Sequence, residues 1–71
     1  MRSVSDDSID AVSEWFRSRG FGLEVAEADG IWWARLVPLR NPTSSVERYA
    51  RGDTPENGAL RARERYEQEQ V

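Results

Sequence analysis

The chain contains no cysteine, no histidine and no lysine. Each absence closes off a chemistry. Without cysteine there is neither a disulfide to staple a small fold nor a thiolate metal site. Without histidine the usual general base and the commonest metal ligand are missing. Without lysine no Schiff base can form, and all ten basic residues are arginine. The expected cause is codon bias in a GC-rich genome rather than a functional avoidance of lysine, and arginine suits bidentate pairing with carboxylates. Long apolar runs are also lacking: no stretch approaches the roughly 20 residues a membrane span needs. The opening Met1-Arg2-Ser3-Val4-Ser5-Asp6-Asp7 leads into acids rather than a signal-like apolar segment, so the expected location is cytoplasmic. A net charge of −3 provides no global attraction to nucleic acid or to an anionic membrane.

What remains is 71 residues, enough for one small domain over 1–71 near the lower limit for a self-sufficient core. The pattern predicts a helix over 5–19. Ser5 is its expected cap, Val4 and Ile9 form a hydrophobic staple, and Asp6, Asp7 and Asp10 lie near its positive end. Gly20 terminates it. Ile9, Val12 and Phe16 make one apolar stripe with Trp15 on the flank.

Asp29-Gly30 is the clearest local signal in the chain. Flanked by apolar-rich runs over 21–28 and 31–39, it predicts a type I′ hairpin. A two-residue turn sets the register: Ala28 faces Ile31, Ala26 faces Trp33, Glu24 faces Arg35 and Leu23 faces Leu36. Adjacent strand residues point to opposite sides, so Trp32 and Trp33 must part company. One side gathers Phe21, Leu23, Val25, Trp32, Ala34 and Leu36 as a core face. The other gathers Glu24, Ala26, Ile31, Trp33, Arg35 and Val37, with the Glu24–Arg35 pair contributing about 0.2–1 kcal/mol.

Arg40 to Ser45 reads as a loop, and 46–51 as a short edge strand protected by charge. Simple alternation places Val46, Arg48 and Ala50 on one side of it, and Glu47, Tyr49 and Arg51 on the other. Gly52-Asp53-Thr54-Pro55-Glu56 announces a helix over 54–68, with Thr54 as cap and Pro55 at the first helical position. Its sheet-facing stripe is Pro55, Ala59, Ala62 and Tyr66 with Gly58 beside it, while Leu60 points away. Arg63–Glu67 and Arg65–Glu69 are i, i+4 pairs.

From about Leu23 to Tyr66 the chain resembles the HicB-like antitoxin fold. The matching residues are Glu27, Asp29-Gly30, Trp32, Ala34 and Pro38, then Gly52-Asp53-Thr54-Pro55-Glu56, Ala62 and Glu64. The chain departs from that pattern at Asn57-Gly58, at the long link Arg40 to Ser45, and by its added N-terminal helix. No second DNA-binding segment is expected after the last helix, so promoter repression is not carried over. The resemblance implies an antitoxin-like or orphan regulatory protein.

Thirteen carboxylates raise the question of paired acid–base catalysis, which needs a cleft and one acid shifted by burial. Here the acids fall at helix starts, a turn and exposed faces. No spacing among them resembles a dedicated cation loop, and no serine has an activating base. No catalytic residue, metal site or cofactor is expected. The order α-β-β-β-α is shared with double-stranded RNA-binding domains, but the acidic start of the last helix opposes phosphate.

The expected fold is therefore α+β, a two-layer α-β-β-β-α arrangement. A three-stranded antiparallel sheet has both helices packed on one face. The bare face carries the expected interaction surface, Ile31, Trp33, Arg35 and Val37, joined by Tyr49 if the third strand keeps its alternation. Its expected occupant is a partner protein or a second copy of the chain. A nucleic-acid binder and a purely structural homodimer are the alternatives, as is a Trp33 that merely lies over Ala26 and shields the hairpin.

Overall fold

The computed structural model describes residues 8–69. The expectations for Val4, Ser5, Asp6 and Asp7 lie outside them. Helix α1 spans Ile9–Arg17, and its cap is Ser8, whose Oγ accepts the Ala11 amide at 3.1 Å. The described helix begins at Ile9. Ser8 takes the extended backbone that a cap requires (φ −71°, ψ 153°). At the other end Arg19 and Gly20 donate to the carbonyls of Phe16 and Arg17. Gly20, at φ +89°, then reverses the chain, so the α-helix stops before Arg19.

Strands β1 (Phe21–Ala28) and β2 (Ile31–Pro38) form the hairpin in the expected register, including Ala28↔Ile31, Ala26↔Trp33, Glu24↔Arg35 and Leu23↔Leu36. Asp29 (φ 56°) and Gly30 (φ 79°) both take left-handed backbone, the requirement of a type I′ turn. Pairing runs one step past β2, because the Leu39 amide donates to the Gly20 carbonyl at 2.9 Å. A short 3₁₀ turn, Pro42–Ser44, then leads into β3 (Val46–Gly52).

Here the structure corrects the sequence. β3 pairs with β2 as Trp32↔Gly52, Trp33↔Arg51 and Ala34↔Ala50, but the next pair is Leu36↔Val46. Residues 47–49 therefore stand opposite Arg35 alone, and Arg48 takes a left-handed φ of 57°. A bulge of this kind breaks the two-residue alternation. Tyr49 turns to the helix side and is only 6 % exposed, instead of joining the bare face.

Helix α2 spans Pro55–Glu69. Thr54 caps it as expected, its Oγ1 accepting the Asn57 amide at 3.1 Å. The sheet order is β1-β2-β3 and both helices cover one side of it, completing the α+β, α-β-β-β-α architecture. The sealed core comprises Val12 and Phe16 from α1, Ala34 and Leu36 from β2, Tyr49 from β3, and Ala59 and Ala62 from α2. Around it Trp15, Phe16, Phe21 and Tyr66 meet edge to face, with centroids 4.9–5.7 Å apart.

Small residues let α2 sit close on the sheet. A Cβ built on Gly58 would lie 3.2 Å from the Trp32 carbonyl oxygen, and one on Gly52 would lie 2.4 Å from the Gly58 amide nitrogen. This approach widens the buried stripe, so Leu60 packs against the core instead of pointing away. Trp32 is corrected in degree. It shares the side of Ala34 and Leu36 by alternation, yet lies half-buried at the sheet end, where α2 sets Gly58 against its carbonyl.

Candidate functional site

The face opposite the helices carries a shallow groove of about 280 Å³. β1 contributes Glu24, Ala26 and Ala28, β2 contributes Trp33 and Arg35, and β3 contributes Glu47 and Arg48. Strand alternation places the β1 and β2 members; the bulge places Arg48. Had β3 kept its alternation, Arg48 would project into the helix layer. Instead its guanidinium lies over the Trp33 ring, 4.9 Å from the centroid. A cation over an indole face is attracted by the ring's negative quadrupole, by about 0.5–1 kcal/mol at an exposed site.

Arg35 occupies the middle of the groove. Its Nη1 donates to Glu24 Oε1 at 3.2 Å, the cross-strand pair expected from the register, and Nη2 makes a long contact of 3.4 Å with Ser45 Oγ. Arg35 Nε is buried and has no partner among the described residues.

Of the expected surface residues, Trp33 and Arg35 come together with Arg48 and Glu47. Val37 is half-buried farther along the same side of β2. Ile31 lines a neighbouring groove, also about 280 Å³, with Arg51, Gly52, Asp53, Asn57 and Arg61. Tyr49 belongs elsewhere altogether. The Trp33 indole itself is half-buried, with an arginine on its face.

Arg48 is the residue that sequence reasoning missed. One signal for it existed: Tyr49-Ala50 places two apolar residues side by side where an alternating strand has one. Arg51 and Arg61 were missed likewise, and they flank the acidic start of α2.

Tyr49 and Glu69 carry shifted ionisations, and both fasten β3 to α2. Burial pushes the Tyr49 phenol well above its ordinary range, reinforced by its hydrogen bond to Glu69 Oε1 at 2.7 Å. Glu69 is held below the usual carboxylate range by hydrogen bonds from Tyr49 and from Arg65, which donates at 3.0 Å. Arg65 also donates to the Tyr49 backbone carbonyl and lies over its ring. Among the described residues no three carboxylates converge as a cation site, and no helix is long and apolar enough to cross a membrane.

No protein-family model, no curated protein and no solved structure matches this chain.

Proposed function

We propose that the protein is a cytoplasmic, non-catalytic protein-interaction module that docks a partner protein on the bare face of its sheet. One observation carries this reading: the partly buried Trp33 indole, stacked by Arg48 from the β3 bulge, on the side of the sheet that neither helix covers. Tryptophan and arginine concentrate binding energy at interfaces, where a large flat side chain and a multidentate cation lose little entropy per contact made. The partner suited to this face lays an apolar side chain against Trp33 and presents a carboxylate to Arg48. Glu24 and Glu47 on the same face favour a mixed-charge protein surface over a phosphate backbone. The HicB-like resemblance adds a role to this reading, that of an antitoxin-like or orphan regulatory protein.

The test begins with a photoreactive phenylalanine analogue at position 33 in cells and a control at the exposed Glu64. A protein cross-linked from 33 and not from 64 is then purified and titrated against wild type, Trp33→Ala and Arg48→Ala. The reading expects roughly a tenfold or greater loss of affinity for Trp33→Ala. Equal affinity of all three overturns it. A gel shift on duplex RNA that fades steeply with salt would put nucleic-acid binding in its place.

A further inference from the structure

The sheet has two edges, and they are not alike. On β3, the bulge, Arg48 at φ 57° and the Arg65 guanidinium on the Tyr49 carbonyl interrupt the row of free backbone groups. Such features keep an edge from pairing with another strand. β1 has none of them. Its eight residues, Phe-Gly-Leu-Glu-Val-Ala-Glu-Ala, pair regularly with β2 throughout and include no proline and no arginine.

Hairpin geometry says which groups that edge exposes. A two-residue turn is closed by a hydrogen-bonded pair, here Ala28 and Ile31, so Ala26, Glu24 and Gly22 also bond toward β2. The Leu39–Gly20 bond lies on the same even-numbered series. The amides and carbonyls of Phe21, Leu23, Val25 and Glu27 therefore face outward. Among the described residues no turn, loop or cap hydrogen bond reaches them. The same strand is undercovered from above: Phe21, Leu23 and Val25 stay half-buried, whereas Ala34 and Leu36 on the adjoining strand are sealed.

We propose that this edge pairs with the β1 edge of a second copy of the chain, antiparallel about a twofold axis, to make one continuous six-stranded sheet. The axis passes at Leu23. That register sets Leu23 against its own copy and Phe21 against Val25, so the half-buried apolar row closes on itself. An axis at Glu24 opposes two like charges, and one at Val25 sets Leu23 against Glu27; both are worse. Both helix layers fall on one side of the joined sheet, leaving the two Trp33 faces side by side on the other. The interface uses the backbone edge of β1 and its helix-side row, whereas the Trp33 groove uses the β1 side chains of the other face, and it does not rest on the docking reading above. A strand edge of this length buries less than about 1,200 Å², the weak end of specific interfaces, so the dimer forms and dissociates with concentration.

Sedimentation velocity from low micromolar to near millimolar concentration tests this on the full chain. Wild type is expected to pass from monomer to dimer. Val25→Pro removes an outward amide and no bond to β2, so it is expected to stay monomeric with an intact circular dichroism spectrum. Trp33→Ala should leave the dimer unchanged. A wild type that is monomeric throughout overturns the proposal, whether the edge stays bare or residues 1–7 of the same chain occupy it. So does a dimer that survives Val25→Pro, or one lost with Trp33→Ala alone.

Discussion

Replacing Gly52 with alanine adds one methyl group at the tightest backbone approach in the fold. That Cβ would lie 2.4 Å from the Gly58 nitrogen, 2.6 Å from the Asn57 carbonyl carbon and 2.7 Å from Asn57 Cβ. Ordinary contacts begin near 3.4 Å, so the first turn of α2 must retreat by about 1 Å. No rotamer relieves this, because two of the three neighbours are main chain. Overpacking of this kind costs about 1–3 kcal/mol, and disturbing the Thr54 cap adds about 1 kcal/mol more. A loss near 3 kcal/mol is large for a domain whose size implies a total of about 4–11 kcal/mol. With m near 1 kcal/mol per M urea, the midpoint should fall by more than about 2 M in denaturation followed by circular dichroism. Two other glycines serve as controls. Gly22→Ala meets only ordinary contacts at 3.6 and 3.7 Å and should gain about 0.5 kcal/mol. Gly58→Ala sets about 1 kcal/mol of helix propensity against a 3.2 Å approach to the Trp32 carbonyl and should be near neutral. A Gly52→Ala midpoint within error of wild type would refute the close seating of α2.

Other outcomes follow from the bulge and from the Tyr49 anchor. The Tyr49 phenol titrates higher folded than unfolded, so its contribution to stability is complete below pH 10 and declines as pH rises beyond the unfolded value. Tyr49→Phe should cost about 1 kcal/mol at neutral pH and flatten that alkaline decline, read from urea midpoints between pH 7 and 11. Glu69 has the opposite sign: its depressed folded value gives stability above the unfolded carboxylate range that is lost on acidification. Glu69→Gln should therefore lessen the acid sensitivity of unfolding. Arg48→Gly relieves left-handed strain while deleting the stack on Trp33, so it should leave stability within about 0.5 kcal/mol yet weaken partner binding.

Local backbone chemistry was legible before any coordinates. Asp29-Gly30 demands two left-handed residues in a row, and Thr54-Pro55 combines a capping hydroxyl with a residue that lacks an amide. Each signal is complete within a few positions, and the structure places the turn and the cap there. The register of β1 on β2 follows from the turn alone. β3 had no such anchor. It reaches β2 through a loop, so its register is set by which side chains the helix layer accepts. Tyr49 is drawn there by α2, where Glu69 receives its hydroxyl across twenty positions of sequence. Alternation therefore places Tyr49 and Arg48 on each other's sides, which leaves out of the groove the arginine that lies over its indole. Period two gives a side and not a depth, so the partial exposure of Trp32 has no signal in the sequence.

The most direct test of the account is the stability of Trp33→Ala measured beside Phe16→Ala by urea unfolding. If the bare face contributes less to folding than the core, Trp33→Ala loses about 1–2 kcal/mol, from the partial burial of its indole and its stack with Arg48, while Phe16→Ala loses about 3–5 kcal/mol from the sealed core. Equal losses would show that the outer indole holds the fold together, and the docking face would have no standing.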